Sequence, residues 1–155
     1  MEIESVSGYR ILVVDDYPDT VDVVCTLLEV LGHEAHGASS GLDAIEKLER
    51  FAPAIALIDL SMPGLDGIAV AERVRARYGA EPYLVALTGW DRPQDRVDAY
   101  RAGFDEFIVK PAVTDVLRRI IDLFSLHKAD RKKPRSARPR PFTRVVPELT
   151  SAFGP

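Results

Sequence analysis

Five residues in this sequence have the types and positions to do chemistry together: Asp15, Asp16, Asp59, Thr88 and Lys110. Each stands where a short apolar run stops. Residues 10–14 lead into Asp15 and Asp16, 54–58 into Asp59, 83–87 into Thr88, and 107–109 into Lys110 and Pro111. Three carboxylates brought close together repel one another unless a cation joins them. Mg²⁺ suits such a set, because it takes oxygen ligands, keeps several waters and is commonly held by one or two protein carboxylates plus phosphate oxygens. Lys110 would add a mobile positive charge and Thr88 a hydroxyl donor, both suited to a phosphoryl group. A carboxylate facing a cation, an ammonium and a hydroxyl is a phosphoryl acceptor, and the protein's part in that transfer is positioning and charge neutralisation. Taken singly, these residues read as helix caps, turn residues or solvated loop positions. Their joint placement is what points to a site.

The elements that must position them are legible from hydrophobic pattern. The apolar runs are short, rich in β-branched residues and without polar alternation, as in strands buried on both faces of a parallel sheet. In such a sheet all strands point one way, and residues just past their ends converge on the edge where open α/β sheets build their sites. Strands are expected at 10–14, 34–37, 54–58, 83–87 and 106–109. Val21, Val24, Leu28 and Leu31, with Pro18 in the first turn and Gly32 at the end, predict a helix over 18–31. Ser39 or Ser40 caps a second helix that turns Ala44, Ile45 and Leu48 inward. Asp66 caps a third with Ile68, Ala71, Val74 and Tyr78 inside and Gly79 closing it. Asp91 caps a fourth with Val97 and Tyr100 inward and Gly103 at its end, its Arg92, Arg96 and Arg101 forming a solvated face. The last helix, 113–127, carries Leu117, Ile120, Ile121 and Phe124 on one stripe. Five strands alternating with five helices predict an α/β fold with a doubly wound five-stranded parallel sheet, the strand order left open.

The 155 residues, 46% hydrophobic and 28% charged, suit one soluble domain plus extra chain. No apolar run approaches the ~20 residues needed to span a bilayer, and the first residues lack the pattern of a signal peptide, so a cytoplasmic protein with no membrane attachment is expected. The single cysteine, Cys25, shares helical spacing with Val21 and Leu28 and reads as a core residue. His33, His36 and His127 show no metal-ligand spacing. Charge divides the chain. Residues 128–155 hold eight Lys or Arg against two Asp or Glu, whereas 1–127 hold 12 against 22. We therefore expect an N-terminal arm at 1–9, a folded domain at 10–127 and a basic, Pro/Arg-rich tail at 128–155 that is disordered. Such a tail is a solubilising remnant, an electrostatic tether to nucleic acid or an acidic partner, or a segment that folds back on its own acidic body. It shows little aromatic interleaving and no DNA-binding helix pair.

At these residues the chain resembles the receiver domain of bacterial two-component response regulators, over residues 10–127. The resemblance rests on Asp15-Asp16, on Asp59 with Met62-Pro63-Gly64 and Asp66-Gly67 downstream, on Thr88-Gly89 and on Lys110-Pro111. It implies a flavodoxin-like receiver fold and a single-domain, phosphorylation-activated switch or phosphorelay carrier, with no enzymatic activity beyond self-directed phosphoryl transfer. Asp59 matches the phosphoacceptor, which takes its phosphoryl group from a sensor histidine kinase or histidine phosphotransfer protein. Asp16 and Asp59 match the side-chain ligands of Mg²⁺, with the Ser61 backbone carbonyl as a further ligand and Asp15 acting through bound water. Lys110 matches the partner of the phosphoryl oxygens, and the bond to Pro111 is expected to be cis. Thr88 and Phe107 match the switch pair, in which the hydroxyl moves toward the phosphoryl group and the aromatic ring fills the vacated space. The fourth helix, fifth strand and fifth helix would report the change to a downstream protein partner, as a monomer or a phosphorylation-dependent dimer. Gly89 stands where the family most often has alanine. Trp90 and Ser61 occupy positions that, in the family, influence how quickly water removes the phosphoryl group, and Trp90 is expected to cover part of the site. The alternatives are a flavodoxin-like enzyme, either a flavin carrier or an aspartate-nucleophile phosphatase, and a degenerate receiver scaffold whose basic tail binds nucleic acid or an acidic partner. Asp15-Asp16 stands where the flavin carrier needs a phosphate loop, and Tyr17 or Pro18 where the phosphatase needs its second aspartate.

Overall fold

Five strands, β1 (Arg10–Val14), β2 (Glu34–Ala38), β3 (Ile55–Asp59), β4 (Tyr83–Thr88) and β5 (Glu106–Val109), run parallel in one sheet of order β2-β1-β3-β4-β5. They alternate with α1 (Pro18–Val30), α2 (Gly41–Phe51), α3 (Gly67–Tyr78), α4 (Pro93–Ala102) and α5 (Thr114–Lys132). The computed structural model describes residues 8–132. The chain starts at β1, steps outward to β2, then crosses back to β3 and continues the other way. The reversal lies between β1 and β3, and the crevice outside the carboxyl ends of those two strands is where doubly wound sheets bind ligands. Register places Val14 beside Ile58, Asp59 beside Leu87 and Thr88 beside Val109, so the polar strand ends align along one edge.

Strand alternation sorts the core into two layers. Leu12, Val14, Ala56 and Ile58 pack with Ala44, Leu48, Val70, Val74 and Ala99 of α2, α3 and α4. Ile11, Val13, Ile55 and Leu57 pack with Val24, Leu28, Leu117, Ile120 and Phe124 of α1 and α5. Both faces are covered, which is why these strands read as continuous apolar runs. Among the described residues no helix is long and apolar enough to cross a membrane.

Four expectations are corrected. Tyr78 is exposed, its ring under the Arg77 guanidinium, and Val70 takes the inward place. Asp91 does not cap α4; the N-cap is Arg92 without a side-chain bond, and Asp91 instead accepts from Arg96 at 2.7 Å. The buried residues of α4 are Ala99 and Ala102, while Val97 and Tyr100 are half-buried, because small side chains let this helix approach the sheet closely. Finally, α5 continues past 127 to Lys132, steadied by Arg131 against Glu81 at 3.4 Å and by His127 against the Tyr83 ring. The remainder of the expected tail, 133–155, and residues 1–7 of the arm lie outside the described residues.

The described end of the arm is anchored. The Tyr9 N–H donates to His33 Nδ1 at 3.0 Å, and the Tyr9 ring stacks on His33 and meets the edge of Phe124. That bond needs a free lone pair on Nδ1, so His33 must be neutral, and burial lowers its pKa from 6.5. With a lowered folded value, its contribution is full above 6.5 and declines as pH falls from there toward the folded value. A glutamine can accept from Tyr9 at any pH. The native chain should therefore lose thermal stability relative to His33→Gln between pH 7.5 and 5, and a constant gap in melting temperature would contradict this reading.

Candidate functional site

Asp15, Asp59 and Thr88 are the buried polar residues of the described chain, at 2%, 5% and 3% exposure. Asp15 follows β1, its N–H donating to the Ala38 carbonyl at 3.1 Å, and its Oδ1 accepts from the Tyr17 N–H at 2.9 Å. Asp59 ends β3, and its Oδ1 accepts from the Ser61 N–H at 3.2 Å. Asp16 stands exposed beside them, and carboxylate oxygens of all three lie within 4.8 Å of one another. Gly67 brings α3 up against this backbone: a Cβ there would sit 2.4 Å from the Asp59 carbonyl oxygen. Lys110 reaches in from the end of β5, its Nζ 2.6 Å from Asp15 Oδ2 and 3.6 Å from Asp59 Oδ2. Its N–H donates to the Thr88 carbonyl at 2.7 Å, and the Lys110–Pro111 bond is cis.

One ammonium against three carboxylates leaves an excess of negative charge. Burial raises the Asp59 pKa, and Asp15 and Asp16 push it the same way, against the Ser61 N–H and Lys110. An all-oxygen donor set with uncompensated negative charge fits a hard divalent cation. Asp15, Asp16, Asp59 and Lys110 meet through their side chains, while Thr88 joins them through its backbone carbonyl on the Lys110 N–H.

Thr88 Oγ1 accepts from the Trp90 N–H at 3.1 Å. Trp90 does not cover Asp59; its ring is 64% exposed with the Arg92 guanidinium 5.6 Å away. It borders a cleft of about 210 Å³ with Leu60, Ser61, Asp66, Thr88 and Asp98. Phe107 is buried in the layer under α2, α3 and α4. Sequence reasoning missed what lies on it: the Arg96 guanidinium, 4.8 Å from the ring centroid and paired with Asp91. The available signal was the three-residue spacing of Arg96 from Ala99, which a search for large apolar residues passes over. Also missed was the cis Glu81–Pro82 bond.

Comparison with known proteins agrees with this geometry. The family model for the response regulator receiver domain matches residues 11–122. An uncharacterized 14.6 kDa protein from the sodA1 3′ region of Leptolyngbya boryana is 34% identical over 125 residues, covering 80% of this chain and 95% of its own. The crystal structure of a CheY-like response regulator receiver domain protein from Methanospirillum hungatei superposes with a TM-score of 0.73 at 26% identity, over 80% of this chain and 99% of that one. Response regulator TrrA of Thermotoga maritima, solved in complex with Mg²⁺–BeF, gives 0.67 at 28% identity, over 74% and 97%. The chain spans about half or less of the length of several other curated relatives, three transcriptional regulators and a sensor histidine kinase. With most of the described fold inside the family match and the strand-end residues converged, the chain belongs to the response regulator receiver domain family of two-component signalling.

Proposed function

We propose that this receiver domain is a phosphorylation-activated switch that accepts a phosphoryl group on Asp59. The observation that carries the reading is the convergence of Asp15, Asp16, Asp59 and Lys110 at the point where the sheet reverses. Asp16, Asp59 and the Ser61 carbonyl would hold Mg²⁺, with Asp15 acting through a bound water; when bound, the ion neutralises charge on the phosphoryl oxygens. An Asp59 carboxylate oxygen attacks phosphorus, and the bond to the donor's nitrogen or oxygen breaks with its electron pair leaving on the donor. Lys110, already between Asp15 and Asp59, turns to the new phosphoryl oxygens. The Thr88 hydroxyl moves to the same group, the Phe107 ring responds, and the face of α4, β5 and α5 carries the change to a protein partner.

The donor we propose is a phosphohistidine on a sensor kinase or phosphotransfer protein, met in the cytoplasm. Exposed Tyr17, Leu42, Trp90 and Val113 all stand on the loops and helix start at the acidic edge. Such an apolar collar around a polar pocket suits a protein surface.

Intact-mass spectrometry after incubation with acetyl phosphate tests the reading. One phosphoryl group gained in Mg²⁺ and none in EDTA is expected; uptake indifferent to the metal, or located away from Asp59, overturns it. Trp90 bears on lifetime. Its side chain borders the cleft that Ser61 and Thr88 also line, and a carboxylate in its place would draw water into that cleft, so Trp90→Glu should shorten the phosphorylated half-life by about threefold, less than ~1.4 kcal/mol of barrier. Equal half-lives would remove Trp90 from the mechanism.

A further inference from the structure

Helix α1 presents a surface that its own fold leaves uncovered. Val24 and Leu28 are buried, but Val23 and Val30 are 58% and 79% exposed, and Leu27 is only partly packed. Spacings of four and three place 23, 27 and 30 on one stripe. Beside it are Asp19, Asp22 and Glu29, and α1 contains no basic residue. Four acidic residues on α2 and α4 are in ion pairs: Asp43 with Lys47, Glu46 with Arg50, Glu49 with Arg77, Asp95 with Arg92. Among the described residues, none of the three α1 carboxylates is in an ion pair.

The described chain ends close to this surface. Tyr9, bonded to His33 just after α1, touches Phe124 of α5 and has Lys128 Nζ 5.5 Å from its ring. The chain therefore continues from Lys132 near the C-terminal end of α1, where the helix dipole adds to the negative charge of Glu29. The next stretch of sequence has the complementary chemistry. Residues 133–147 contain Lys133, Arg135, Arg138, Arg140 and Arg144, no Asp or Glu, and the apolar Phe142, Val145 and Val146. Pro134, Pro139 and Pro141 favour an extended course of ~3.1 Å per residue. The 13 residues of α1 rise about 1.5 Å each, roughly 20 Å in all, so about seven extended residues match the helix.

We propose that the part of this segment from Pro134 to Phe142 binds back along α1, running toward its N-terminus. Arg135, Arg138 and Arg140 pair with Glu29, Asp22 and Asp19, while Pro134, Ala137, Pro139 and the arginine stems lie over Val30 and Val23. Phe142 then reaches the exposed Tyr17 ring. The occupant of the α1 stripe is thus the chain's own basic segment, held by charge and by a narrow apolar strip. This inference does not depend on Asp59 being the phosphoacceptor.

Paramagnetic relaxation in the full chain tests it. A nitroxide is attached at Ala137→Cys; Cys25 stays, because burial pushes its thiol up to about 11 and the thiol form reacts slowly. Selective broadening of the amides of 19–30 is expected, weakened in ~0.5 M salt, where screening is short-ranged, and lost in Asp19→Lys/Asp22→Lys/Glu29→Lys. Broadening that is uniform, centred on another element or retained in the triple variant overturns the proposal. So does broadening of α1 that appears only when spin-labelled chains are mixed with separate isotope-labelled ones, since that would place a second copy's segment on the stripe.

Discussion

In EDTA, the Asp59→Asn protein is expected to unfold at a higher temperature than the native chain while taking up no phosphoryl group from acetyl phosphate in Mg²⁺. Asp59 is 5% exposed and shares its pocket with Asp15 and Asp16, against Lys110 alone. Burial is the largest cause of its raised pKa, followed, among the effects that raise it, by the two neighbouring carboxylates. A carboxyl with a raised folded pKa binds its proton more tightly in the fold than in the unfolded chain. Its stabilising effect is present below the unfolded value of 3.8 and lost as pH rises through the folded value. At neutral pH the charged side chain is therefore a cost to the fold. Asparagine has the same shape, no charge, and an oxygen that still accepts from the Ser61 N–H. Relief of about 1–2 kcal/mol is expected for a charge of this kind, a rise of roughly 3–8 °C in a domain of this size. Mg²⁺ should reverse the order. At about a hundredfold excess over its Kd, a ligand that binds only the fold adds ~2.7 kcal/mol, and the native chain gains this where the variant, short one carboxylate, does not. Calorimetry of both proteins with and without Mg²⁺, beside intact mass, reads both halves. A variant less stable than native in EDTA would show that Asp59 is held by contacts this charge argument omits, and one that still takes up phosphate would place the acceptor on another residue.

How much of this was legible in the sequence depends on how far apart the interacting residues lie. Strands β1, β3, β4 and β5 could be read because each is covered by helices on both sides, so that 11–14, 55–58 and 83–87 are apolar without a break. The acidic and basic strand ends followed from parallel direction alone. Strand order did not, since a period of two or 3.6 residues carries no information about which strand lies beside which. Helix α4 was misread at its cap and on its inner face because Ala99 and Ala102 do their packing by being small, and because Asp91 finds Arg96 five residues on. The Ser40 and Asp66 caps were legible; each accepts from a backbone N–H three residues ahead, at 3.1 and 2.9 Å. Polar contacts between residues thirty positions apart left no local trace. The largest of these joins Arg75 to Asp105.

Arg75→Ala is expected to cost the fold about 3 kcal/mol, more than any surface substitution elsewhere on α3. Its side chain is 19% exposed and its guanidinium donates in four directions: to the Gly103 carbonyl at 2.9 Å, the Gly79 and Pro82 carbonyls at 3.1 and 2.8 Å, and Asp105 Oδ2 at 2.8 Å. One side chain thus ties the end of α3 to the turn before β4 and the turn before β5. Asp105 Oδ2 also accepts from the Leu84 N–H at 2.8 Å, yet burial still raises its pKa. Removing the arginine leaves that carboxylate with one donor in a poorly solvated place. Breaking a buried pair this way costs about 3–5 kcal/mol, and the partial exposure of both partners sets the lower end. Lysine should rescue little, because a single ammonium cannot serve four acceptors in the plane of a fork. The penalty comes chiefly from the stranded charge, so Asp105→Asn, which keeps an acceptor for Leu84, should remove part of it: the double variant is expected to be at least ~1 kcal/mol more stable than the two single effects predict. The pH dependence has the matching sign. With the folded pKa of Asp105 raised, the carboxylate's cost grows as pH rises through that value, so the Arg75→Ala defect should be larger at pH 7 than at pH 4.5. Urea unfolding of the four proteins at both pH values measures all three claims, and an additive cycle would assign the loss to the three carbonyl bonds alone. Arg75 lies at the strand-start edge, opposite the acidic pocket. While the variant remains folded it should take up phosphate as the native chain does, which separates loss of the fold from loss of the site.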